Sequence, residues 1–319
     1  MMPTSKQTYS RMDSLKLLGP RYWGTWLLLC VLKILSKLPF WVQRALSIGF
    51  SRVIMKTIKS RVKVTAVNLT KAFPHNSEAW VKEKVTKSFD SFALGLMEAN
   101  SAYWLSYPEF SRLFPCTIEG FAHIESAIAL GKGVLICGYH LHSLDLVCRI
   151  LTEKIERELN VRCALVYQAQ KNPLKDRFLY QWRRRYASEV FRRKELKGML
   201  SWLKSGRVLL YAPDQDFGPG PSVFAPFMGV DSTATVTAPG RMIQHTGAIF
   251  IPAWFYRAEK GHVIKILPPL DQYPSEDDLA DATQVNGVYE PLIANHPEQY
   301  LWQHRRFKTR PPGEPNFYE

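Results

Sequence analysis

No stretch of the chain reaches the roughly eighteen uncharged apolar residues that a membrane-spanning helix needs, which excludes a polytopic membrane protein. There is no internal repeat and no low-complexity tract. Gly (18) and Pro (21) are at ordinary levels for 319 residues, which excludes a collagen-like chain. With 46% hydrophobic residues the chain can bury a sizeable core, which excludes disorder. Cysteine is scarce: Cys30, Cys116, Cys137, Cys148 and Cys163 form no CxxC pair. Their odd count and irregular spacing fit a reduced compartment and give cysteine metal binding little support. Acid is scarce as well, with 28 Asp and Glu against 42 Lys and Arg, a net charge of +14. What remains is a basic globular protein with the means to sit on a membrane.

The imbalance is greatest over residues 1–60, which hold Lys6, Arg11, Lys16, Arg21, Lys33, Lys37, Arg44, Arg52, Lys56 and Lys59 against a lone acid, Asp13. Between these cations Tyr22 to Leu32 carries no charge, and Leu38 to Val42 is again apolar. Pro39 suits the first turn of a second helix. Lys33, Lys37, Arg44 and Ser47 recur at helical spacing, giving one polar, cationic face, while Trp23, Trp26, Phe40 and Trp41 supply interfacial aromatics. The expectation is a helical hairpin lying in a bilayer interface. A true span is the weaker reading, because Tyr22 to Leu38 only reaches the short limit for one. A buried core helix is the bland alternative. A polar leader without a small-residue cleavage site argues against a secretory signal peptide. Further cations cluster at Arg183, Arg184, Arg185, Arg192, Arg193, Lys194 and Lys197, and at Arg305, Arg306, Lys308 and Arg310. Each cluster is either a binding surface or a solvated face.

Residues 60–105 read as helical, with breaks near Pro74 and Asn76 and a helix opening at Ser77 and Glu78. Short apolar runs predict strands at 134–137, 164–167, 208–211, 249–254 and 262–266, with helices at 142–156 and 194–204. Strands alternating with helices argue for an α/β sheet. Residues 1–59 form the expected membrane-anchoring segment. Residues 60–319 form one α/β domain, with a helical cap over 60–116 and a core over 117–319.

Residues 131–145, GKGVLICGYHLHSLD, carry the most chemistry. A strand runs into Gly138 and then His140, at the carboxyl end where α/β folds bind ligands. Five residues along a regular helix turn through about 500°, so His140 and Asp145 do not share a helical face. They meet only if His140 lies in the turn before the helix and points back over its first turn. The carboxylate then accepts from one ring nitrogen and leaves the other free to take a proton from a hydroxyl. Two other readings stay open. His140 is a hydrogen-bonded structural residue, or His140, His142 and Asp145 bind a metal. In residues 211–229, Asp214 and Asp216 follow another strand. They are candidates for a metal or an arginine, or members of an ordinary turn.

Taken in order, these segments resemble the late acyltransferases of lipid A biosynthesis, within the lysophospholipid acyltransferase superfamily. The resemblance rests on His140…Asp145 as an H-x4-D motif and on Asn68-Leu69 with Ala72-Phe73-Pro74. It continues through Asn172-Pro173-Leu174, Arg193 to Met199, Tyr211 to Pro219 and Ser222 to Phe227. It ends with Pro297 to Tyr300 and His304 to Pro311, so it covers nearly the whole chain. It implies a central mixed β-sheet flanked by helices, as in glycerolphosphate acyltransferases, behind an N-terminal hydrophobic helical membrane anchor. It implies transfer of an acyl group from acyl carrier protein (acyl-ACP) to a hydroxyl on a hydroxyacyl chain of a Kdo-bearing lipid A precursor. His140 would be the general base and Asp145 its orienter. Arg185, Arg193, Lys194, Asp214 and Gln215 would bind substrate. No metal, cofactor or nucleic acid is implied, and the site would sit on the cytoplasmic face of the cell inner membrane, among its lipids. Many lauroyl-transferring members have Glu where this chain has Asp145, which bears on the subfamily rather than the chemistry. Acylation of another glycolipid or a lysophospholipid, a metal-dependent hydrolase, and a non-catalytic membrane- or nucleic-acid-binding protein stay open as alternatives.

Overall fold

Four strands in the middle of the molecule run parallel and set up everything else. The computed structural model of the chain describes residues 15–319. Lys6, Arg11 and Asp13 of the expected anchor lie outside the described residues. The seven-stranded sheet has the order β1 (Cys116–Glu119), β9 (His262–Ile266), β8 (Ile249–Arg257), β2 (Val134–Cys137), β5 (Val208–Tyr211), β3 (Cys163–Tyr167), β4 (Glu189–Arg192). All neighbours pair in parallel except β8 and β9, which are antiparallel, so the sheet is mixed. Each strand predicted from an apolar run is present. A separate hairpin pairs β6 (Ser222–Phe227) with β7 (Val230–Val236). Every residue of β2 is buried, the pattern of a strand covered on both faces.

The chain leaves β2 toward β3 and β4 on one side, returns through β5, and crosses to β8 on the other. The crevice above β2 and β5 is therefore a topological switch point, where open α/β sheets bind ligands. The register pairs Cys137 with Tyr211, which brings the residues after the two strands side by side.

The helices before the sheet are α1 (Trp23–Leu35), α2 (Phe40–Thr57), α3 (Lys59–Ala72), α4 (Glu78–Trp104) and α5 (Tyr107–Leu113). Those interleaved with it are α6 (Ala122–Ala129), α7 (Leu144–Glu158), α8 (Pro173–Arg183), α9 (Leu196–Lys204), α10 (Ala238–Thr246) and α11 (Asp278–Asn295). The Ser77 side chain caps α4 by accepting from the Trp80 N–H at 3.2 Å, at the helix start the sequence predicts. Phe89 of α4 and Leu69 of α3 join the same apolar core as the strands.

The N-terminal helices meet the expectation in part: Lys33, Lys37 and Arg44 are exposed, whereas Ser47 of the expected polar face is buried. No described helix is long and apolar enough to cross a membrane. The polar stripe of α2 is not its outer face: Gln43, Ser47 and Ser51 are buried. Gln43 Oε1 accepts from Ser101 Oγ of α4 at 3.1 Å, and Ser51 Oγ donates to Asp90. Burying this stripe against α4 satisfies its polar atoms and turns Trp41, Leu46, Ile48, Phe50 and Val53 outward.

Candidate active site

The residues after β2 are fixed before any chemistry begins. The Tyr139 ring stacks on Tyr289 with centroids 3.9 Å apart, and its hydroxyl donates to Asn286 Oδ1 at 2.7 Å. Tyr289 Oη in turn donates to the Cys137 carbonyl at 2.6 Å. The His140 carbonyl accepts from the Leu301 N–H at 2.9 Å, and the His142 N–H donates to the Gln299 carbonyl at 3.0 Å. His140 thus sits in the turn before α7, where the sequence puts it, clamped between α11 and the chain around 299–301.

The carboxylate on its ring is Asp214, not Asp145. His140 Nδ1 lies 2.5 Å from Asp214 Oδ1, and the His140 backbone N–H donates to Asp214 Oδ2 at 2.9 Å. Asp145 instead accepts from Arg183 of α8, from Nε at 3.1 Å and Nη2 at 2.6 Å. The physical reason is geometric. Asp145 projects from the first turn of α7 toward α8, whereas the β2–β5 register delivers Asp214 directly beside the ring. Burial alone would favour the neutral His140 ring, but Asp214 outweighs it and raises the pKa above the ordinary histidine value. Burial likewise opposes the Asp214 charge, yet His140 holds its carboxyl below the usual range. With Nδ1–H given to Asp214, Nε2 keeps its lone pair and has no hydrogen-bond partner among the described residues.

His140 opens onto a cavity of about 560 Å³. Ile136, Val147, Cys148, Leu151, Leu165 and Phe255 give it an apolar interior, while Gln168, Gln170, Arg193 and Gln215 are polar lining. The sequence-predicted set therefore divides. Asp145, Arg193 and Gln215 line the cavity with His140, and Asp214 holds the ring. The Arg193 guanidinium lies over the Phe217 ring, 4.1 Å from its centroid. Lys194 is exposed and outside the lining. Arg185 lines a second recess of about 210 Å³ and donates to the Tyr103 carbonyl at 3.2 Å. His142 turns away from His140: its Nδ1 lies 2.8 Å from Ser91 Oγ and its Nε2 3.0 Å from Gln303 Oε1. No group of three or more His, Cys, Asp or Glu among the described residues is arranged to hold a metal ion.

Residues 12–309 match the family model of the bacterial lipid A biosynthesis acyltransferases. The chain belongs to that family. It is 37% identical to the lipid A biosynthesis lauroyltransferase of Escherichia coli (strain K12), over 96% of this chain and 98% of the relative. It is 31% identical to the palmitoleoyltransferase of the same strain, over 96% and 97%, and 27% identical to its myristoyltransferase, over 92% and 90%.

Other residues of this acyltransferase escape spacing arguments. Arg183 reads only as part of a basic cluster, yet it is the partner of Asp145. The third cluster partly turns inward: Arg306 is buried and donates to the Ala234 carbonyl at 2.7 Å. Asp216 ties two distant segments, accepting from the Thr309 N–H at 2.6 Å and Oγ1 at 2.7 Å and from the Gly218 N–H at 2.9 Å. His304, within the last matching motif, lines the same cavity as His140.

Proposed function

We propose that the enzyme moves a fatty acyl chain from acyl-ACP to a hydroxyl of a hydroxyacyl chain on a Kdo-bearing lipid A precursor. The observation that carries the reading is the His140–Asp214 pair at the edge of a cavity with an apolar interior. His140 Nε2 takes the hydroxyl proton, the oxygen adds to the thioester carbonyl, and the carrier thiolate leaves with that proton. Asp214 fixes the ring and favours the imidazolium that forms. The apolar interior suits an acyl chain, and the names of the relatives point to fatty acyl donors. Arg193 and Gln215 are placed to meet polar substrate groups, with Lys194 and Arg185 contributing charge farther out. The amphiphilic acceptor and the outward apolar residues of α1 and α2 support a place on the cytoplasmic face of the inner membrane.

The test is an assay of detergent-solubilised wild type and His140→Ala with lauroyl-, myristoyl- and palmitoyl-ACP and a Kdo-bearing tetraacylated precursor, read by mass spectrometry. Wild type should add one acyl chain, and His140→Ala should lose about 10² to 10⁴-fold in turnover. Acylation of a lysophospholipid or another glycolipid but not of the lipid A precursor would replace the acceptor. An unimpaired His140→Ala would remove the base.

A further inference from the structure

Acyl transfer needs hydrogen-bond donors where negative charge develops on the carbonyl oxygen. Arg183 is engaged by Asp145, and His140 must accept rather than donate. His304 stands out because its hydrogen bonding fixes where its proton is. The Asp216 backbone N–H donates to His304 Nε2 at 3.2 Å. A ring nitrogen that accepts an N–H carries no hydrogen, so the neutral ring bears its proton on Nδ1. That Nδ1–H has no acceptor among the described residues, and it is not a buried orphan. His304 lines the cavity onto which His140 opens.

Its placement is braced from several sides. Asn68 Nδ2 donates to the His304 carbonyl at 2.7 Å. The His304 N–H donates to the Leu301 carbonyl at 3.3 Å, and Leu301 is bonded to the His140 carbonyl. Asp216, which presents the N–H, is itself held by Thr309 and Gly218. Burial pushes the His304 pKa down to about 4, so the ring stays neutral beside His140. Neutral imidazole is a known polariser of carbonyl oxygens.

We propose that His304 is a catalytic residue whose Nδ1–H stabilises the oxyanion formed when the acceptor oxygen adds to the acyl thioester. The inference rests on the acyl-transfer reading above. The acceptor O–H bond breaks and its proton goes to His140 Nε2 while the new C–O bond forms. The carbonyl π pair moves onto oxygen, which accepts from His304 Nδ1–H. The pair then returns, the C–S bond breaks, and the thiolate takes the proton from His140. Nothing is oxidised or reduced.

The test compares His304→Ala and His304→Gln with wild type and His140→Ala, using acyl-ACP and the tetraacylated precursor. Gln can accept from the Asp216 N–H through its amide oxygen and donate through its amide nitrogen, so it retains both functions of the ring. His304→Ala should lower kcat by about 10² to 10³-fold with KM for both substrates changed only a few-fold. His304→Gln should recover at least ten-fold of that loss. A kcat for His304→Ala within three-fold of wild type would overturn the proposal, as would a loss confined to KM. If His304→Ala does not melt cooperatively, His304→Gln decides: within about ten-fold of wild type sustains the donor, and activity as low as His140→Ala overturns it. A wild type inactive with every donor would sink the acyl-transfer reading, and this inference with it.

Discussion

Two aspartates flank His140, and they divide two tasks. Asp214 is almost fully buried, with 2% of its side chain exposed, and bonds both the ring and the backbone of His140. Asp145 sits on the cavity wall and holds Arg183. The two should separate in a pH profile. A general base works only when neutral, so with His140 in the proposed role the rate should rise as pH climbs through its pKa, which Asp214 raises above the usual value. Asp214→Asn should cut plateau kcat by about 10² to 10⁴-fold and move the acidic limb to lower pH, because the charge that favours imidazolium is gone. Asp145→Asn should move the limb less, since its charge on His140 is the weaker one. It should instead cost about 1–3 kcal/mol of stability by leaving a half-buried Arg183 short of its partner. A larger limb shift for Asp145→Asn than for Asp214→Asn would reverse this assignment. The place of His140, the proposed base, was legible in the sequence because an apolar run, a glycine and a histidine mark a strand end locally. Its partner was not legible as a partner. Asp214 lies 74 positions away, and only the pairing of β2 with β5 brings it to the ring.

Among the elements, α4 packs directly against the loop that carries His140 and His142. Gly95 is buried in mid-helix because the loop backbone passes against it: a Cβ there would lie 2.2 Å from the His142 carbonyl oxygen. The same face presents Ser91, which bridges His142 and Arg257. Glycine inside a helix ordinarily costs about 1 kcal/mol relative to alanine, so Gly95→Ala at an open site would stabilise the protein. Here the reverse is expected. Backbone cannot yield as a flexible side chain does, and overpacking typically costs about 1–3 kcal/mol. Gly95→Ala should therefore lower the melting temperature and depress kcat together, because His142 is two residues from the proposed base. A higher melting temperature with unchanged kcat would show that the loop is not seated on α4. The sequence supports α4 through its Ser77 cap and apolar spacing, and the buried strands through their apolar runs. It is silent on β4, where Glu189 and Arg192 make a short charged edge strand, and on the β6–β7 hairpin, hidden in a Gly- and Pro-rich stretch. An edge strand such as β4 carries charge at its ends, which breaks the apolar run that marks the inner strands.

For the whole molecule, the decisive arrangement is that α8 lies between α1 and the cavity. Leu174, Phe178 and Trp182 of α8 meet Leu17, Trp26 and Leu29, with the Trp26 and Phe178 rings edge to face at 5.4 Å. Leu179 and Arg183 of the same helix line the cavity. On its outer side α1 leaves Leu27 68% and Ile34 66% exposed, and α2 leaves Trp41 74% exposed. Large apolar side chains left this exposed on both helices suit an interaction surface. Lys33 and Arg44 lie on these two helices, and Lys37 lies in the turn between them. An enzyme lying on anionic lipid by this face would hold its cavity one helix away from an acceptor still embedded in the bilayer. Each fully buried large apolar side chain contributes about 1.5–3 kcal/mol, so a triple change to serine should weaken vesicle binding by several powers of ten. The measurement is co-sedimentation of the full chain with vesicles of phosphatidylglycerol and phosphatidylcholine, for wild type and for Leu27→Ser/Ile34→Ser/Trp41→Ser. Wild type should bind, less in 1 M salt, where screening over about 3 Å removes the lysine contribution and leaves the apolar one. The triple variant should stay in the supernatant and lose turnover on acceptor presented in vesicles, while turnover on detergent-dispersed acceptor persists. Equal vesicle binding by both proteins would place the membrane contact on another face.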